Sequence, residues 1–352
     1  MIAAFVKTKY KVELRELPAP KPGKGQVVVR VDACGVCGSD FIAAGYWAKQ
    51  WQQFGHEVVG TIHETGQGVS GFKAGDRVVL ALSVPCGQCA ACRKKLPRYC
   101  SQLLTALQGG FSDYLLVHDT RLLRPIASTV PSQVAFMAEP LTVIYEAFQL
   151  AGLGNNDSLF VAGGGFLGAL GALTAHLLGI PVAGVLCRRL DQNLKSVQKL
   201  TGFVHFNWPK AAVIGMKPWS KLQSTLSGHV GRTVVLHTAP AKTIPYYLDA
   251  LPYAATVVNI GLSGRTRENQ LQLDASKTIF RRTQILSAFP VPCLYLDDVV
   301  SLLERYQNKF CVLKPLVISL EELPRIFLNR SRAAKIVVSM EDATLKSPPP
   351  YL

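Results

Sequence analysis

Leu159-Phe160-Val161-Ala162-Gly163-Gly164-Gly165-Phe166-Leu167-Gly168 is the stretch that decides the fold. Four apolar residues read as a buried strand. Gly163, Gly165 and Gly168 then form G-x-G-x-x-G, and Phe166 to Leu178 reads as a helix. In such a turn the first glycine permits a tight bend and the second lets a pyrophosphate approach the backbone. The third lets the helix pack closely on the strand, and the helix N-terminus attracts the anion. The motif alone is weak, but between a strand and a helix it is a dinucleotide-binding signature. Gly163, Gly165, Phe166, Leu167 and Gly168 are therefore the expected cofactor-binding residues.

Downstream, Val182 to Leu186 reads as a second strand and Asp191 to Leu200 as a second helix. Arg232 to Leu236 and Ala255 to Ile260 read as later strands. Such alternation argues for a parallel sheet with crossover helices. The second strand ends Leu186-Cys187-Arg188-Arg189, with no carboxylate before Asp191. An acid there would bind the ribose 2′-hydroxyl of NAD, whereas guanidiniums suit a 2′-phosphate. Arg188 and Arg189 thus favour NADP over NAD; the alternative is that they simply face solvent. Ser158 to Cys187 is long enough to span a bilayer and carries no charge apart from His176. Its glycines and Pro181 parse better as strand, turn, helix and strand, so no membrane span is expected.

Upstream the texture is β-rich. Gln26 to Val31, Gly60 to Thr65 and Asp76 to Leu80 look like strands separated by glycine turns. Cys86, Cys89, Cys92 and Cys100 form C-x2-C-x2-C-x7-C in a polar, basic lobe without periodicity, read as a loop. Four thiolates so spaced suit a structural tetrahedral zinc. Disulfides and an iron–sulfur cluster are the rivals. The ferredoxin run places its fourth cysteine after three residues, followed by proline, whereas here Ser101 follows a longer gap.

A second constellation comprises Cys37, His56, Glu57 and Glu139. One thiolate, one imidazole and one carboxylate make a three-ligand zinc site with a position left for water or substrate. From spacing alone this set is weak, because a histidine and two acids are commonly ordinary residues. Cys34 and Cys37 also form C-x-x-C, but without the flanking βαβ context of a redox motif.

Length and composition bound the rest. The chain has 352 residues, 49% hydrophobic and 17% charged, enough for two cores and too apolar for disorder. A secretory signal is not apparent at the start, and nine clustered cysteines suit metal ligation in a reducing, cytoplasmic compartment. The net charge of +15 is spread rather than gathered into a stripe. It fits a basic soluble enzyme, or one attracting an anionic cofactor or substrate, better than a nucleic-acid binder.

Together these motifs resemble one family along nearly the whole chain: the zinc-containing medium-chain dehydrogenases, particularly their polyol (sorbitol-like) branch. The residues carrying the likeness are Gly35-Val36-Cys37-Gly38-Ser39-Asp40, Gly55-His56-Glu57 with Gly60, Gly66 and Gly75-Asp76-Arg77-Val78, and the four-cysteine lobe. Gly109-Gly110-Phe111-Ser112-Asp113-Tyr114 and Glu139-Pro140-Leu141-Thr142-Val143 complete the set. The resemblance implies an α/β chain with a GroES-like β-rich catalytic domain and a Rossmann doubly wound parallel sheet, the active site lying between them. The expected division is 1–150, completed by 290–352, and 151–289. The resemblance also implies that Cys37, His56 and Glu139 hold a catalytic zinc, that Glu57 is an adjacent or alternating ligand, and that Ser39 begins a proton relay. A small alcohol or ketone substrate and a homodimer or homotetramer follow, with no nucleic-acid or membrane partner. The chain departs from the polyol pattern at Ala43, where a tyrosine is usual, and at Pro290, where an arginine is usual. The interval from Cys37 to His56 is also short. These departures leave the substrate open among polyols, sugar phosphates and amino alcohols. A non-catalytic relative is the remaining rival; a zinc-ribbon nucleic-acid binder would leave the glycine turn and Glu139 unexplained.

Overall fold

The computed structural model describes residues 1–106, 109–208, 219–229, 231–289, 291, 293–330 and 335–340. The chain divides into two compact units, Met1–Thr142 with Pro290–Leu352, and Val143–Phe289.

The first unit is built on a seven-stranded sheet among the described residues. Its centre is the strand Val27–Val36, buried along nearly its whole length. The run Val27-Val28-Val29 with Val31 explains this: β-branched side chains fit a pleated surface, and each buried valine contributes on the order of 1.5 kcal/mol. Glu57–Thr65, Tyr114–Val117 and Ile336–Ser339 all pair antiparallel with this strand. It begins where the sequence expects a strand and continues beyond Val31 to Val36, just before Cys37. A smaller sheet orders Lys11–Glu16, Ile2–Lys7 and Gln52–Gln53.

The stretch Cys86 to Cys100, expected to be a loop, contains a helical turn at Ala90–Arg93 and a 3-10 turn at Pro97–Tyr99. Both are single turns, too short to leave a periodic pattern. The segment with Glu139 opens a helix, Ala138–Ala151, in which Pro140 falls in the first turn, where its missing N–H is tolerated.

The second unit holds a six-stranded parallel sheet among the described residues. Its order is Val204–Asn207, Val182–Cys187, Ser158–Ala162, Thr233–His237, Thr256–Asn259 and Gln284–Ser287. This 3-2-1-4-5-6 order is that of a Rossmann sheet. Strand Ser158–Ala162 is buried at every residue, as a central parallel strand must be. Helices Phe166–Leu177 and Gln192–Thr201 follow the first two strands in sequence, close to their expected limits. Phe160, Leu186, Val235, Tyr247 and Val257 share one core cluster. Among the described residues no helix is long and apolar enough to cross a membrane.

Candidate functional site

Strand register brings the proposed donors of the first unit together. Gly35 pairs with Glu57 across the antiparallel ladder. Cys37 lies two residues past Gly35, and His56 one residue before Glu57, so both fall at the same end of the ladder. One donor atom each from Cys37, His56 and Glu57 lies within 4.8 Å of the others. Glu139, expected as the third ligand, stands outside that tight set. It is 5% exposed on the first turn of Ala138–Ala151, close enough for its charge to act on His56 and Glu57. Burial pushes its carboxyl up to about 7, against the pull of His56.

Two residues that the sequence did not mark complete the cluster. Asp40 is buried; its Oδ2 accepts from the Cys37 backbone N–H at 2.8 Å, and its Oδ1 lies 3.7 Å from His56 Nδ1. Lys335 is 8% exposed and donates to Glu57 Oε1 at 2.6 Å and to the Val36 carbonyl at 3.0 Å. Burial opposes the charge of both His56 and Lys335. Asp40 and Cys37 nevertheless hold His56 well above its usual range, and Glu57 and Cys37 hold Lys335 above its own. Ser39 is half-buried in the helical turn Gly38–Ile42, two residues past Cys37.

Glu57 Oε2 is paired with the Lys335 ammonium, while His56 Nδ1 is buried without a hydrogen bond among the described residues, with Asp40 Oδ1 3.7 Å away. Buried polar atoms are rarely left so, and a sulfur, nitrogen and oxygen donor set at this spacing suits zinc. The residues present therefore fit a metal ion.

The cysteine lobe passes the same test. Cys86, Cys89, Cys92 and Cys100 are all free and lie within 4.8 Å of one another. The Cys86–Cys92 and Cys89–Cys100 sulfur pairs lie 4.0 and 3.9 Å apart. Four sulfurs about 2.3 Å from one zinc would sit about 3.8 Å from each other. Backbone N–H groups of Cys92 and Ser101 hold Cys89 down to about 5, while burial pushes Cys92 up to about 12. Four thiolates this close need a cation to ionise together.

In the second unit, Gly165 caps Phe166–Leu177 and faces open space, as the approach of a phosphate requires. Gly163 has φ +136°, and a Cβ on Gly168 would collide with the Gly163 carbonyl oxygen. Phe166 and Leu167 open the helix. Arg188 and Arg189 are exposed just beyond the strand Val182–Cys187. Asp191, the nearest carboxylate on that side, caps the next helix through the Leu194 N–H at 2.8 Å.

Comparison with known proteins agrees with this geometry. Residues 23–128 match the alcohol dehydrogenase GroES-like domain. An acryloyl-coenzyme A reductase of Sulfurisphaera tokodaii is 30% identical over 264 residues, 72% of this chain and 74% of that protein. The chain belongs to the zinc-containing medium-chain dehydrogenases. Among its relatives in this family, D-altritol 5-dehydrogenase of Agrobacterium fabrum is 37% identical over 49% of this chain and 54% of that protein. An L-threonine 3-dehydrogenase of Pyrococcus abyssi is 34% identical over 51% and 54%. The chain thus spans about half the length of these two curated relatives. Galactitol-1-phosphate dehydrogenase from Escherichia coli shares the medium-chain dehydrogenase fold, with TM-score 0.80 at 21% identity over 96% of this chain and 100% of its own.

Of the two departures from the polyol pattern, Ala43 begins a π-helical turn, Ala43–Trp47, in the short interval before His56. Pro290 lies outside the described residues.

Proposed function

We propose that this chain is a zinc-dependent oxidoreductase moving a hydride between a secondary alcohol, polyol or sugar-like, and NADP, with the ketone as the other partner. The observation that carries the reading is the convergence of Cys37, His56 and Glu57 donor atoms in one buried cluster. Cys37, His56 and Glu139 would hold the catalytic zinc, with Glu57 an adjacent or alternating donor. The four lobe cysteines would hold a structural one.

When bound, zinc supplies Lewis acidity toward the substrate oxygen, and nicotinamide supplies the hydride acceptor or donor. The chain's own residues do the rest. Asp40 orients His56 and keeps its ring facing the cluster. The Ser39 hydroxyl takes the proton released by the alcohol and hands it toward solvent.

Support for NADP comes from exposed Arg188 and Arg189, and from the commitment of Asp191 to its helix cap. Exchanging both arginines for acidic and neutral residues should lower kcat/KM for NADP by about 10- to 100-fold, the cost of losing a charge-assisted pair. NAD should then match or outperform it. A homodimer or homotetramer is supported by the edge strand Gln284–Ser287, together with exposed Ile279, Phe280 and Phe289 in the same unit.

The test is a screen of polyols, sugar phosphates and amino alcohols with NADP and NAD, alongside metal analysis. Turnover of a secondary alcohol supports the proposal. Reduction of an acryloyl thioester with no alcohol turned over would replace it, a reading favoured by the extended match to acryloyl-coenzyme A reductase.

A further inference from the structure

We propose that the four-cysteine lobe carries a contact face for anionic phospholipid bilayers, made by Arg93, Lys94, Lys95, Leu96, Arg98 and Tyr99. The inference goes beyond the oxidoreductase reading and does not depend on it. From Arg77 to Ser112 the chain holds no Asp or Glu, while Arg93, Lys94, Lys95 and Arg98 crowd into one short run. All six residues of the face are exposed, Leu96 at 48% and Tyr99 at 71%.

Local structure accounts for this. The helical turn Ala90–Arg93 ends at Lys94, and the 3-10 turn Pro97–Tyr99 begins after Leu96. Sulfur contacts hold both turns, so no core draws Leu96 or Tyr99 inward. Lys95 has φ +60° directly after the helical cap, a place where glycine is the usual residue. A lysine there is disfavoured by its backbone and adds charge. Among the described residues Lys94 and Lys95 have no ion pair. Arg93 donates to the Gln88 carbonyl and Arg98 to the Tyr295 hydroxyl, and both remain exposed. Asp119 and Asp297, on segments that touch the lobe, are paired with Arg121 and Arg124. Asp298 is exposed beside Asp297 and lowers the local excess without cancelling it. Four thiolates around one zinc would leave a charge of about −2, smaller than that of the cations flanking them.

Charge therefore calls for a polyanion, and Leu96 decides which. An apolar side chain gains nothing against a sugar–phosphate backbone. It gains from entering the headgroup region of a bilayer, where tyrosine is also favoured. Cations on neighbouring residues pull such a tip toward acidic headgroups. The family resemblance brings no membrane partner with it; the face comes from this chain's own residues and rests on the surface without a spanning helix.

The test is cosedimentation of the zinc-loaded full chain with vesicles of equal parts phosphatidylserine and phosphatidylcholine, and with phosphatidylcholine alone. Binding should need phosphatidylserine and weaken as salt rises. Lys94→Gln with Lys95→Gln should weaken it by about 10- to 30-fold, at roughly fivefold per cation. Leu96→Ser should weaken it at unchanged charge. Lys95→Gly should lose about fivefold in binding yet melt no lower than wild type, because glycine suits that backbone. Lys195→Gln with Lys199→Gln, both exposed on the helix Gln192–Thr201, removes the same charge elsewhere and should change binding little. Equal binding to neutral vesicles, no binding to either, or equal losses from the two double variants would overturn the proposal. So would tighter binding of poly(U) RNA that Leu96→Ser leaves unchanged, which would make the face a nucleic-acid contact.

Discussion

Replacing Gly35 with alanine separates the geometry of this site from ordinary backbone effects. Gly35 lies in the central strand Val27–Val36, and alanine there should by backbone entropy alone add about 0.5–1 kcal/mol of stability. The side-chain arrangement opposes this. A Cβ on Gly35 would run into Glu57 Oε2 and lie 2.6 Å from Phe136 Cδ2. Phe136 and Glu57 are each 1% exposed, so neither can swing into solvent. Overpacking of a filled core costs about 1–3 kcal/mol. If the clash is relieved by driving Glu57 from Lys335, a buried pair is broken, at about 3–5 kcal/mol. Less the backbone gain, these limits leave a net loss of roughly 0.5–4 kcal/mol, which at about 2–4 °C per kcal/mol lowers the melting temperature of this unit by about one to more than ten degrees. Gly38→Ala is the control, since nothing lies within 4 Å of a Cβ there. The assay is thermal and urea unfolding of both variants with zinc content measured in parallel. Gly35→Ala as stable as Gly38→Ala, with unchanged zinc, would refute the packing of Glu57 against this strand.

Three further outcomes follow from other parts of the molecule. Cys100→Ser should cost the lobe its metal and lower melting, because Cys100 contacts Cys89 and accepts from the Cys86 N–H; unchanged zinc stoichiometry would count against it. Gly168→Ala should weaken binding of the dinucleotide, read by nicotinamide fluorescence, because the first helical turn must move away from the Gly163 carbonyl. Burial holds His237 down to about 4 from its usual 6.5, beside Tyr247. Between those values the unfolded chain binds more protons, so stability falls as pH drops from about 6.5 to about 4, by roughly 3 kcal/mol. His237→Asn should be less stable at neutral pH, and its deficit against wild type should shrink by about that amount at pH 4. A deficit constant with pH would contradict it.

The Rossmann sheet was legible because its signals are local. An apolar strand, a glycine turn and a helix lie within twenty residues, and each obeys the period of its own element. The clusters were legible only in part. Cys37, His56 and Glu57 sit in recognisable short motifs, but their meeting depends on the pairing of Gly35 with Glu57. That register also accounts for Glu57, rather than Glu139, joining the tight donor set: Glu57 starts a strand beside Cys37, whereas Glu139 reaches in from a separate helix. Lys335 was not legible. It is a lone charge before Ile336-Val337-Val338, nearly 300 residues from the strand it meets, and nothing in its spacing reports that contact. The turns inside the cysteine lobe were hidden for a different reason, since their order comes from sulfur contacts and not from apolar periodicity.

The most direct measurement is zinc stoichiometry with zinc-edge X-ray absorption on the purified chain and on Cys37→Ser. The account predicts two zinc ions in the wild-type chain, one bound by sulfur alone near 2.3 Å and one by mixed sulfur, nitrogen and oxygen donors, and loss of only the mixed centre in the variant. A wild-type chain holding sulfur-bound zinc alone, or a variant whose zinc and spectrum are unchanged, would contradict it.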